Sequence, residues 1–112
     1  MPTVLPTDSF NQVIPAVRLK ESGAHTLAPT TTIAARNTVA FDEDTRVVSV
    51  YATEAVYLTF GGPGVTATAA DHYFPADTYY DFSIGGPKVG LYTHLSALCA
   101  SADGNVYISE KE

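Results

Sequence analysis

Residues 46–64, RVVSVYATEAVYLTFGGPG, decide the fold. Val48, Val50 and Ala52 alternate with Val47, Ser49 and Tyr51, and beyond a break at Thr53-Glu54, Val56, Leu58 and Phe60 alternate with Ala55, Tyr57 and Thr59. A period of two carried by β-branched and aromatic residues predicts two strands. Gly61-Gly62-Pro63-Gly64 then stops the second strand, because proline brings no N–H to a ladder and glycine gives up the most backbone entropy on being extended.

The same reading extends toward the C-terminus. Val65 to Ala69 (VTATA) predicts a strand of small residues, and Thr78 to Ile84 sets Tyr80, Phe82 and Ile84 against Tyr79, Asp81 and Ser83 until Gly85-Gly86-Pro87 ends it. Leu91 to Cys99 (LYTHLSALC) is apolar on both faces, as a central buried strand would be. Ser101 to Gly104 supplies a turn, Asn105 to Ser109 a closing strand with Val106 and Ile108 inward, and Glu110-Lys111-Glu112 a charged end. Toward the N-terminus, Thr30 to Ile33 and Asn37 to Phe41 are β-prone runs, and Asp42-Glu43-Asp44 suits a hairpin turn in which short acidic side chains cap nearby N–H groups. No segment has the 3.6-residue period of an amphipathic helix. About eight short strands at roughly 8 to 12 residue spacing predict an all-β chain, an antiparallel, jelly-roll-like β-sandwich.

Residues 1–29 read differently. Pro2, Pro6, Pro15 and Pro29 punctuate a run that carries Val4, Leu5, Phe10, Val13, Ile14, Val17 and Leu19. A short strand at Ala16 to Lys20 would end at Glu21-Ser22-Gly23. A fully solvated tail has little use for so many large apolar side chains. The expected organisation is an extended N-terminal arm, 1–29, that docks on its own sandwich or a neighbouring subunit, followed by a β-sandwich domain, 30–112.

At 112 residues the chain has material for one sandwich-sized core. Twelve acidic residues against six basic ones give a net charge of -6, which disfavours a phosphate backbone, so nucleic acid is not an expected partner. No apolar run approaches the ~20 residues of a membrane helix, and MPTVLPTDSF has neither the basic nor the apolar region of a signal peptide. The single cysteine, Cys99, is expected as a buried apolar residue of its strand.

A search for chemistry finds little. His25, His72 and His94 fall in separate segments without the i, i+2 or i, i+4 pairing from which metal sites are built, and no calcium-loop spacing surrounds Asp42-Glu43-Asp44. His94 is expected as a hydrogen-bonded core or interface residue. Asp71-His72 beside Asp77 and Asp81 could be drawn as a base with orienting carboxylates, but nothing in their separation requires contact. The glycine groups lack the lysine and helix start of a phosphate loop. No catalytic, cofactor or metal site is therefore expected. Seven tyrosines without a tryptophan are more informative. Tyr73, Tyr79, Tyr92 and Tyr107 are placed on outward faces, where an aromatic with a hydroxyl suits cross-strand packing, a protein interface or a sugar.

Taken as an ordered set, RVVSVYA (46–52), VYLTFG (56–61), ATAADHYFPAD (67–77), the aromatic strand, HLSAL (94–98) and GNVYIS (104–109) resemble a pattern in small virion structural proteins of tailed bacteriophages. Asp77 stands where that pattern has glycine after Pro-Ala; aspartate also tolerates a turn. The resemblance covers a little over half of the chain and leaves out the arm. It implies a non-enzymatic β-sandwich on the capsid surface of a virion made in the host cytoplasm. Its role would be that of a capsid cement or decoration protein bound to the major capsid protein, with a neck or tail accessory as the alternative. A homo-oligomer, trimer or dimer, would multiply a weak site by avidity. A glycan-binding sandwich module is the rival reading. The expected protein interface comprises Leu5, Phe10, Val13, Ile14 and Val17 of the arm with Tyr73, Tyr79 and Tyr92.

Overall fold

In the computed structural model, which describes residues 19–86 and 90–111, every regular element is a strand. The decisive stretch forms β3 (Val47–Ala52) and β4 (Val56–Gly61). Thr53, Glu54 and Ala55 carry the chain between them from one sheet into the other. Five further strands complete two four-stranded antiparallel sheets around this pair: β5 (His72–Phe74), β6 (Tyr79–Ser83), β9 (His94–Cys99), β10 (Val106–Lys111) and β1 (Leu19–Leu27), together with the short β2 (Ala35–Arg36). The first sheet runs β1-β10-β3-β6 and the second β2-β9-β4-β5. A small ribbon pairs β7 (Gly85–Gly86) with β8 (Gly90–Leu91).

Register explains the core. Val106, Ile108 and Glu110 of β10 stand opposite Ala52, Val50 and Val48, while Cys99, Ala97 and Leu95 of β9 stand opposite Val56, Leu58 and Phe60. The inward sets of both sheets merge in one buried cluster with Leu27, Phe41 and Ile84. At the β5–β6 edge aromatic rings bridge the sheets, with Phe74 5.3 Å and Phe60 5.4 Å from Phe82 and Phe74 4.9 Å from Tyr80. Edge-to-face pairs of this kind add about 0.5–1.5 kcal/mol each beyond the area they bury.

Several expectations give way to local hydrogen bonding. Thr30 to Ile33 is a turn, because the Thr30 hydroxyl accepts the Thr32 and Ile33 N–H groups at 3.2 and 2.9 Å. Of Asn37 to Phe41 none is strand. There the Asn37 amide substitutes for a ladder, donating to Val39 O and Thr93 O and accepting the Leu95 N–H at 2.8 Å. Val65 to Ala69 is a loop across the outer face of the second sheet, where the Ala67 N–H donates to Ser96 Oγ at 2.9 Å. Leu91 to Cys99 is broken at Tyr92-Thr93, whose N–H groups bond Ile84 O and Gly61 O. Gly85-Gly86 does not merely stop β6. It forms β7, and with a φ of +127° and an added Cβ falling 1.8 Å from Gly90 O, Gly85 is the residue that lets the ribbon close.

The two chain ends also differ from expectation. Leu19–Leu27, assigned to the arm from sequence, pairs with β10, and Glu21-Ser22-Gly23 is absorbed as an irregularity between Leu19 and Ala24, with Ser22 at a φ of 61°. Residues 1–18, including Leu5, Phe10, Val13, Ile14 and Val17, lie outside the described residues. At the other end, Glu110 and Lys111 belong to β10, and Glu110 is only 4% exposed. Its Oε1 accepts the Asp42 N–H at 2.8 Å and the Thr45 hydroxyl at 2.7 Å, and its Oε2 lies 2.7 Å from His25 Nε2. The acidic run caps its own turn as expected, with Asp42 Oδ1 accepting the Asp44 N–H at 2.9 Å. This bond, helped by Lys20, holds the Asp42 carboxyl below its ordinary range. The turn joins no hairpin, however, because the residues just before it form no strand and β2 and β3 lie in different sheets.

Removing the Glu110 carboxylate strands two buried donors and the His25 ring. Glu110→Ala should cost about 3–5 kcal/mol in denaturant unfolding, and Thr45→Val, which removes one donor and leaves the others engaged, about 1–2 kcal/mol.

Candidate functional site

Four strands align their outward residues on the first sheet. Tyr107 of β10 stands opposite Tyr51 of β3, and Tyr51 opposite Tyr79 of β6, with Thr26 of β1 continuing the row. The backbones of β10 and β6 at this row are thus about 10 Å apart, with β3 between them. Tyr51 and Tyr79 pack at 4.8 Å, and Tyr79 is 71% exposed. The Tyr51 hydroxyl donates to Asp77 Oδ1 at 2.9 Å, and that bond holds its pKa above the ordinary 10.0.

The next row is polar: Ser109 opposite Ser49, and Ser49 opposite Asp81. The Ser49 hydroxyl donates to Asp81, and Lys111 Nζ reaches the same carboxylate at 3.1 Å. Both, the serine first, keep the Asp81 carboxyl below its usual range. Lys111 and Asp81 cancel, while the Asp77 carboxylate at the Tyr51 hydroxyl has no ion pair among the described residues. Exposed Leu19 lies at the lysine end.

The other expected tyrosines sit elsewhere. Tyr73 packs on Tyr57 at 5.8 Å on the outer face of the second sheet. Tyr92 stacks on Phe60 at 5.9 Å beside a cleft of about 400 Å³ between the sheets, lined chiefly by Leu58, Phe60, His72, Phe74 and Phe82. All four outward tyrosines are exposed, but Tyr73, Tyr79 and Tyr92 occupy three surfaces, not one. The residue missed is Tyr51, whose sequence signal was its place on the outward phase of β3.

The drawn acid–base set is not assembled. Asp71 Oδ2 accepts the Thr68 N–H at 2.7 Å, while Asp77 and Asp81 serve Tyr51 and Ser49 on the other sheet. Among the described residues no group of three or more His, Cys, Asp or Glu could hold a metal ion. Cys99 is buried, its thiol donating to Pro29 O at 3.3 Å, and burial pushes its pKa up. His94 is 7% exposed with Nδ1 2.8 Å from the Thr93 hydroxyl, and burial first, then the Arg36 charge, pushes its pKa below 6.5.

The sign of this last shift sets a pH dependence. Below about pH 6.5 the unfolded chain takes a proton at His94 that the folded chain refuses until lower pH, so stability falls as pH falls through that window. Wild type should therefore lose more stability between about pH 7 and 5 than His94→Asn does, measured by urea midpoints. Comparison with protein-family models, with curated proteins and with solved structures finds no match for this chain.

Proposed function

We propose that this chain is a non-enzymatic virion structural protein of a tailed bacteriophage, a jelly-roll β-sandwich that binds coat subunits as a capsid cement or decoration protein. The observation that carries this reading is the row Tyr107, Tyr51 and Tyr79 on the exposed outer face of the first sheet. Tyrosines provide large, stiff contact area with a hydroxyl at the rim, and the pairing of Asp81 with Lys111 lessens the negative charge this acidic chain presents there.

Connectivity supports the jelly-roll part. Of the eight strands in the two sheets, β1, β3, β6 and β10 lie in the first, and β2, β4, β5 and β9 in the second. The chain crosses between the sheets at every step except β4 to β5, as two interleaved Greek keys do, an architecture found in viral capsid and lectin domains. The segments that carry the phage resemblance contain β3, β4, β5, β6, β9 and β10. The residues preceding β1 act in this reading as the arm, its apolar side chains giving a second contact on a neighbouring coat subunit, and a homo-oligomer multiplies both.

Copy number in purified particles, by quantitative mass spectrometry, tests the reading. A simple fraction of the major capsid protein is expected. About a dozen copies or fewer would move the protein to the neck or tail, and its absence would overturn the virion reading in favour of a glycan-binding module. The face is tested separately: Tyr79→Ser with Tyr107→Ser should weaken particle binding by about tenfold or more while leaving the unfolding midpoint nearly unchanged.

A further inference from the structure

The outer face of the second sheet, unlike that of the first, is roofed. Residues 62–70 cross it, tied down by the Ala67 N–H to Ser96 Oγ and by Arg36 Nη1 to Val65 O at 3.3 Å. Where the roof begins, it leaves a cavity of about 430 Å³ lined by Arg36, Asn37, Thr38, Pro63 and His94.

Register builds this cavity. Arg36 stands opposite Ser96 on β9, two residues from His94, so the period of two puts both side chains on one face. Gly61, opposite His94 on β4, lets the roof come down beside the cavity, since a Cβ there would fall 3.0 Å from the Val65 side chain. Asn37 forms a fixed wall, its amide spent on Val39 O, Thr93 O and the Leu95 N–H. Three polar groups remain for a ligand. The Arg36 guanidinium makes one bond to a carbonyl and no ion pair among the described residues, whereas Lys20 and Lys111 are each paired with an aspartate. The His94 ring uses Nδ1 on Thr93 and leaves Nε2 without a partner among the described residues, accessible from the cavity. The Thr38 hydroxyl is the third.

We propose that this pocket is a carboxylate-binding site, with the Arg36 fork gripping the two carboxylate oxygens and His94 and Thr38 fixing their orientation. A guanidinium matches a carboxylate bidentately. A single fixed cation on a chain of net charge -6 suits a monoanion better than a phosphate dianion. The depressed pKa of His94 agrees, since it makes the ring a neutral hydrogen-bonding partner and not a second positive charge. The cavity has room for a carboxylate with a short organic body, which can be a free small molecule or an Asp or Glu side chain of a partner protein. The proposal does not depend on the virion reading.

Sodium acetate and N-acetyl-glutamyl amide, each titrated against sodium chloride at matched ionic strength and followed by NMR of the His94 ring and the Arg36 side chain, test it. Saturable shifts at both residues are expected with the carboxylates and not with chloride. Arg36→Gln should weaken binding by about tenfold or more, and Arg36→Lys, which keeps the charge without the fork, by several-fold, with other spectral changes confined to the 62–70 loop that Arg36 ties through Val65 O. Tighter binding of N-acetyl-glutamyl amide supports a protein carboxylate as the occupant, and equal binding a free one. Shifts that never saturate, that chloride reproduces, or that survive Arg36→Gln undiminished would overturn the site.

Discussion

A buried carboxylate holds the first sheet to the loop that feeds it. Glu110 lies in phase with Val106 and Ile108 on the inward face of β10, so the strand that runs between β1 and β3 carries a charge-bearing group into the interior. Water is replaced there by the Asp42 N–H and the Thr45 hydroxyl of one turn and by the His25 ring of β1. β1 is thereby fastened by a side chain as well as by its ladder, which is interrupted between Leu19 and Ala24. The same carboxylate fixes the turn at 42–45 immediately before β3. Phe41, packed edge-on against His25 at 5.3 Å, closes the end of the core beside it. A hydrocarbon at position 110 would pack against Val48 but could not order the turn, because the backbone donor of Asp42 would have nothing to bond.

The parts of the fold legible in the sequence are those where one face is apolar and the other polar. β3, β4, β6 and β10 show this, and the inward sets read from alternation are the buried ones. Illegible were the places where a side chain replaces the ladder. Thr30 and Asn37 have strand-like neighbours, yet their hydroxyl and amide satisfy backbone groups locally, and no hydrophobic pattern records that. Glu110 belongs in sequence to a charged end, and isolated glutamate is costly to bury; the three partners that allow its burial are 65 to 85 residues away. The loop 62–70 resembles a strand in composition, but its N–H groups go to Ser96 and Asp71 side chains.

The candidate face was half legible for a related reason. Period two gives the outward phase of a single strand, so Tyr79 and Tyr107 could be placed in solvent. Their meeting across Tyr51 depends on β10 and β6 flanking β3 in a register that only the assembled sheet defines. The neutralisation of Asp81 by Lys111 is non-local in the same way, with 30 residues between them.

The two outer faces of the sandwich are treated oppositely, and the contrast argues for where recognition takes place. On the second sheet the loop 62–70 covers Ser96 and leaves only a small polar pocket, so any ligand there is small or is a single side chain inserted from outside. On the first sheet nothing among the described residues covers the tyrosine row, and Tyr79 remains largely in water. Lone exposed aromatics need no explanation, but three in one cross-strand row, beside a polar row in which Lys111 offsets Asp81, form a surface with area. The cleft near Tyr92 is smaller in reach, because its walls Phe60, Phe74 and Phe82 are already engaged with one another in joining the sheets. Opening it further would weaken the core, whereas a partner on the tyrosine face asks nothing of the fold.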